Sequence, residues 1–220
     1  MSKLDTVSSA CSPDRFRALW KRQLQANRPD HSDVIYQQIV DAYAEPQRVY
    51  HTLEHIENCL AMFDQVSSLV DTADSVELAI WFHDVIYQIG DCDNEQLSAD
   101  LFMALTEGLF EDEFRKKVYQ LIMATRHNFS PITDHDTQLM VDIDLSSFGL
   151  PWPDFLRDSE KVRGEMQHLS DTEYYEKQAV FQQALLEKPQ FFKSDFFYDN
   201  YETQARSNLA ELFKIIKSKK

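Results

Sequence analysis

Apolar residues recur at three- and four-residue spacing along nearly all of this 220-residue chain, and β-branched alternation between glycine turns is largely missing. That period puts apolar side chains on one face of an α-helix and leaves little from which to build a sheet. The predicted fold is all-α, a single-domain helical bundle over residues 1–220, with a helical N-terminal extension over about 1–45 and C-terminal helices over about 151–220 packing on the core. Ser12 before Pro13 is an N-cap with proline in the first turn, opening a helix to about Ala26; Ser32 opens another to about Ala44, before Pro46. Further helices are expected over about 52–70, with Leu53, Ile56, Leu60 and Phe63 on one face, and over about 74–87, 94–109 and 111–126. A loop at 128–133 containing Pro131, an apolar segment over 139–148 and three helices separated near Pro151 and Pro189 follow.

Composition narrows the chemistry. The chain has 4 glycines, where average usage of roughly 7% gives about 15. Gly90, Gly108, Gly149 and Gly164 stand too far apart for a phosphate-cradling loop, which excludes P-loop and Rossmann chemistry. With 37 acidic against 22 basic residues, the net charge of −15 repels polyanions, so nucleic-acid polymers and anionic membranes are excluded as partners. Cys11, Cys59 and Cys92 are odd in number and lack CxxC spacing, which argues against a disulfide framework and a thiolate zinc knot. An acid, Asp5, stands where a signal peptide has its apolar run, and no 18-residue apolar stretch exists. The expected location is the cytoplasm.

Three places put polar residues where a core belongs. The segment Ala79-Ile80-Trp81-Phe82-His83-Asp84-Val85-Ile86-Tyr87 carries an adjacent His and Asp in a helix with no obvious solvent face. Burying that carboxylate unpaired costs several kcal/mol, so it needs a cation, a metal or a catalytic partner; Trp81 and Tyr87 read as core. Upstream, Tyr50-His51-Thr52-Leu53-Glu54-His55 sets two histidines four apart, on one helix face if Thr52 is helical. The order differs from that of a zincin, whose Glu follows the first His. Downstream, Leu139-Met140-Val141-Asp142-Ile143-Asp144-Leu145 holds two acids that point about 200° apart on a helix, so one of them faces any shared site. Each residue alone is accounted for by a core histidine or an ion pair. Together, His55, His83, Asp84 and either Asp142 or Asp144 are a nitrogen and oxygen ligand set for one divalent transition metal, Mn, Fe, Co, Ni or Zn.

These residues resemble the His-Asp (HD) superfamily of metal-dependent phosphohydrolases, whose signature is a His, an adjacent His-Asp pair and a distant Asp on helices of an all-α fold. Within it, the chain is similar to a group of predicted HD phosphohydrolases through Tyr50-His51-Thr52-Leu53-Glu54-His55-Ile56, Phe82-His83-Asp84-Val85-Ile86-Tyr87, Asn94-Glu95-x-x-Ser98-Ala99, Ala124-Thr125-Arg126-His127 and Asp142-Ile143-Asp144-Leu145. Arg163-x-Glu165 and Glu202-x-x-Ala205-Arg206-x-Asn208-Leu209 extend the likeness. The resemblance implies an HD-type bundle with a metal site between core helices, ligands His55, His83, Asp84 and Asp144, and hydrolysis of a small-molecule phosphate ester, possibly a nucleotide, by metal-activated water. It also nominates His51 as general acid, by analogy with cyclic-nucleotide phosphodiesterases, and sets Asp142 beside the ligands. Two-metal relatives carry further histidines at set intervals; here His127, His135 and His168 follow, and only His127 stands in a shared phrase, so a second metal is not assigned.

Asp142 or Glu54 is expected to hold the far nitrogen of a ligating His. Arg126 is the first candidate to bind phosphate, His127 a candidate proton donor, phosphate contact or second-metal ligand, and Glu95 a candidate to enter the pocket. Arg163 and Arg206 are expected to pair with Glu165 and Glu202. The alternatives to hydrolysis are a non-catalytic metal- or ligand-binding regulatory module and a di-iron oxygenase.

Overall fold

The computed structural model describes residues 9–127 and 134–219; the readings that fall on residues 1–8, on the 128–133 loop with its Pro131 and on Lys220 lie outside them. Among the described residues ten α-helices follow one another: α1 (Pro13–Gln23), α2 (Ser32–Tyr43), α3 (Leu53–Val66), α4 (Ala73–Phe82), α5 (Asn94–Leu105), α6 (Asp112–Ala124), α7 (His135–Asp144), α8 (Trp152–Glu165), α9 (Asp171–Leu186) and α10 (Asp195–Ser218). Short 3-10 turns lie at Ser9–Cys11, Ser67–Leu69 and Leu145–Gly149, and there is no strand among the described residues. The all-α expectation holds. No described helix is long and apolar enough to cross a membrane.

Local chemistry sets the ends. The Ser12 side chain accepts the Arg15 amide at 3.2 Å, with Pro13 in the first turn of α1. Asp134 caps α7 through the Thr137 amide at 3.0 Å. Ser170 and Glu173 form a capping box at α9, dividing α8 from α9 at a point with no proline.

The expectation of one helix over about 74–87 is corrected: α4 stops at Phe82, His83 is its C-cap, and Asp84 lies in the turn beyond. Two side chains take the backbone groups that would continue it. Arg48, its side chain fully buried, donates to the carbonyls of Asp84 at 2.6 Å and Val85 at 2.9 Å. The Ile86 amide donates to Ser98 Oγ at 3.0 Å instead of a carbonyl one turn back. The same device swings Asp84 off the helix axis and toward α3 and α7.

The core runs through most of the chain, with Phe16, Trp20, Ile56, Leu60, Trp81 and Phe82 fully buried between α1, α3 and α4. Helix α4 lies centrally, against α3, α5, α6 and α7. Helix α10 packs on α9 and on the turn after α7. That approach requires glycine, because a Cβ at Gly149 would lie 2.7 Å from Cβ of Tyr201. Asn208 locks it by donating to the Phe148 and Leu150 carbonyls, both at 2.8 Å.

Candidate metal centre

Three elements deliver four donor groups to one buried point. His55 stands in the first turn of α3, His83 and Asp84 at the end of α4, and Asp144 at the last position of α7. The two Nε2 atoms of His55 and His83 are 3.2 Å apart. Asp144 Oδ1 lies 3.2 Å from His55 Nε2 and 3.4 Å from His83 Nε2; Asp84 Oδ2 lies 3.2 Å from His83 Nε2 and 3.7 Å from His55 Nε2. All four donor atoms fall within 4.8 Å of one another. A cation about 2.1 Å from each donor requires donor separations of about 3.0 Å at right angles and about 3.4 Å at the tetrahedral angle, so the set fits a divalent transition ion. Among the described residues, no Lys or Arg reaches either carboxylate, which face only imidazoles. Burial works against charge on all three of His83, Asp84 and Asp144, but their mutual attraction outweighs it: the ring is held well above the usual histidine value and both carboxyls well below theirs.

Two of the candidate ligands are oriented from behind. His83 Nδ1–H donates to the Ile80 carbonyl at 2.9 Å, which assigns the lone pair to Nε2. His127 Nε2–H donates at 2.9 Å to Asp144 Oδ2, the oxygen not beside His55 and His83. His127 reaches it from the left-handed region, φ 50°, an unusual setting for a residue with a side chain. The hydrogen bond makes His127 a partner of Asp144, an arrangement outside the three roles expected for it. None of His127, His135 and His168 belongs to the four-donor group.

His51 is not on the helix face foreseen for it. Thr52 is extended, φ −116° and ψ 179°, and α3 begins after it. Glu165 of α8 holds His51 instead. Its buried carboxylate accepts the amides of Val49, Tyr50 and His51 at 2.8, 2.8 and 2.9 Å on one oxygen, and His51 Nδ1–H at 2.7 Å and the Tyr87 hydroxyl at 2.9 Å on the other. Tyr87 stacks on the His51 ring at 4.2 Å. Burial raises the Glu165 carboxyl, but His51 and the amides more than reverse this and bring it down to about 2. Burial likewise opposes charge on His51, and Glu165 followed by Asp84 overcomes it, so the ring's pKa is raised. The His51 ring centre lies 6.0 Å from that of His55, one fifth of its side chain exposed.

Several expectations are corrected. Asp142 is fully buried on the other side of α7, as the 200° angle between it and Asp144 dictates, and accepts the Lys193 amide at 2.9 Å and the Ser194 amide and hydroxyl at 2.7 Å; it holds no ligating His. Burial pushes its carboxyl up to about 6 despite these donors. Glu54 points to solvent and pairs with Lys161 at 2.7 Å. Arg163 pairs with Asp171 at 2.8 Å, leaving Glu165 to His51, whereas Arg206 does pair with Glu202 at 2.8 Å. Tyr87 is half-buried at His51 and not a core residue, unlike the fully buried Trp81. Arg126 is tied at 2.6 Å to Asp93 and lines a cavity beside His127. Glu95 lies close enough that burial and the Asp84 charge raise its carboxyl. Glu165 and Arg48 are the site residues that sequence reasoning missed: Glu165 was assigned to Arg163, and Arg48 has no motif around it. Comparison of the chain with protein-family models, with curated proteins and with solved structures returned no match.

Proposed function

We propose that the protein is a metal-dependent hydrolase of a small-molecule phosphate ester, with one divalent transition metal held by His55, His83, Asp84 and Asp144. The observation that carries this reading is a buried group of two carboxylates and two imidazoles, spaced for a cation and lacking any Lys or Arg among the described residues. The resemblance to the HD superfamily supports the same reaction class. A divalent cation there supplies Lewis acidity, lowering the pKa of a coordinated water from 15.7 towards about 7.

The chain's own residues do the rest. His51 donates a proton to the leaving oxygen from Nε2, because Nδ1 is committed to Glu165. Glu165 raises the pKa of that ring and, with Tyr87, fixes its direction. His127 and the Ile80 carbonyl hold Asp144 and His83 in place. Arg48 holds the turn that presents Asp84.

The test is a metal-supplemented assay on p-nitrophenyl phosphate, bis-p-nitrophenyl phosphate and a nucleotide panel, run beside His83→Ala. Cleavage of a phosphate ester that disappears with metal in His83→Ala sustains the reading. Metal without turnover on any phosphate ester overturns it in favour of a binding module or an oxygenase, the latter marked by about two irons per chain.

A further inference from the structure

A cavity of about 590 Å³ is lined by His127, the partner of Asp144, and the charged side chains among its described lining residues are basic. Around it stand Arg126, Lys188 and Lys193, with Phe148, Phe181 and Phe191 among its apolar walls, and no Asp or Glu is among its described lining residues. Over the whole chain acids outnumber bases, 37 to 22. His127, whose Nε2 is bonded to Asp144, forms one end of the lining beside Arg126.

Its lysine-bearing wall is mounted on the helix that carries Asp144. Asp142 of α7 grips the Lys193 and Ser194 amides, Glu202 grips those of Phe191 and Phe192 at 2.9 and 3.0 Å, and Arg206 donates to the carbonyls of Leu186 and Lys188. The buried carboxylates therefore hold the backbone that carries the lysines against α7 and α10. Burial first and the neighbouring Lys193 ammonium second press the Lys188 pKa down to about 8. The volume suits a small molecule, and the acidic remainder of the surface repels a polyanion.

We propose that this cavity seats the body of the substrate, and that the substrate is a phosphate ester whose apolar or aromatic body carries a second anionic group, held by Lys188 and Lys193 while the scissile phosphate lies at the His127 end. This rests on the phosphate-ester reading above.

Phosphonates, whose C–P bond a phosphate esterase leaves intact, isolate binding from turnover. The probes are phenylphosphonate and biphenyl-4-phosphonate, each compared by calorimetric titration with its analogue carrying a carboxylate at the far para position. At least one carboxylate-bearing member is expected to bind about tenfold tighter than its partner, with the preference shrinking as salt is added. In Lys188→Met/Lys193→Met the preference falls to about one. Lys193 is exposed, so Lys193→Glu alone provides a second variant that keeps the fold and inverts the preference. Equal binding within both pairs, or a preference that survives in both variants, overturns the inference. A lysine-dependent preference in a protein that turns over no phosphate ester overturns the substrate role and the hydrolase reading together, and leaves an anion-binding site. Turnover without any preference overturns this inference alone.

Discussion

Two sets of buried carboxylates share this fold and are satisfied in opposite ways. Asp136, Asp142, Glu165 and Glu202 each accept backbone amides: Asp136 those of Asp71 and Thr72, Asp142 those of Lys193 and Ser194, Glu165 those of Val49, Tyr50 and His51, and Glu202 those of Phe191 and Phe192. Asp84 and Asp144 accept none from the described residues and face imidazoles alone. A carboxylate saturated by amides has its charge spread over fixed dipoles and staples a loop to a helix. Asp84 Oδ2 and Asp144 Oδ1, turned to the Nε2 atoms of His55 and His83, leave lone pairs opposed to lone pairs until a cation or proton stands between them. Asp142 and Asp144, two residues apart on α7, show both outcomes within one turn.

Substitutions break that contrast in order of expected size. His83→Ala removes a donor from the cation-requiring set. Elemental analysis should find its metal content falling from about one per chain to near zero, with phosphate-ester turnover lost at the same time. His51→Ala removes none of the four donor groups. It should keep the metal and slow turnover of esters with poor leaving groups by about 10²–10⁴-fold, read from steady-state kinetics; loss of metal in this variant would contradict its role as acid. Asp142→Ala belongs to the amide-bound set, and denaturant unfolding should show a loss of about 2–4 kcal/mol with metal stoichiometry unchanged in the folded fraction.

Glu165→Gln sharpens the contrast through pH. In the fold this carboxyl stands at about 2, against about 4.3 for a free Glu. Its ionised form therefore adds stability above the free value, and that contribution is lost as pH falls from about 4 to 2. The unfolding free energy of Glu165→Gln should decline less steeply over that window. Because Glu165 also raises the His51 pKa, the alkaline limb of the rate profile should move to lower pH in the variant. The smallest effect is expected for Glu54→Gln, an exposed pair with Lys161, which should change stability by less than about 1 kcal/mol.

The four-donor cluster was legible because its members are polar residues in apolar runs, and a polar residue there requires a partner. The helical angle between Asp142 and Asp144 was legible for the same geometric reason, and it separates their two sites. What each acid would meet was not. Glu165 sits in an ordinary amphipathic helix, and its partners at Val49, Tyr50 and His51 are more than a hundred residues away, a pairing that no local pattern encodes. Arg48 ends α4 from 36 residues upstream, so the apolar run 79–87 read as continuous helix and the turn at Asp84 was hidden. The lysine-lined cavity is assembled from the end of α6, α7 and the turn after it, α9 and the segment that follows it, a segment held by Asp142 and Glu202 from elsewhere in the chain.

The central claim is that Asp84 and Asp144 are a cation site while the amide-bound carboxylates are staples. Its most direct test is metal stoichiometry by elemental analysis after equilibration with Mn, Fe, Co, Ni and Zn in turn, on the wild type, His83→Ala and Asp142→Asn, each shown to be folded. The account predicts about one tightly held ion per chain in the wild type and in Asp142→Asn, and none in His83→Ala. No bound ion in the wild type, or equal content in all three, would contradict it.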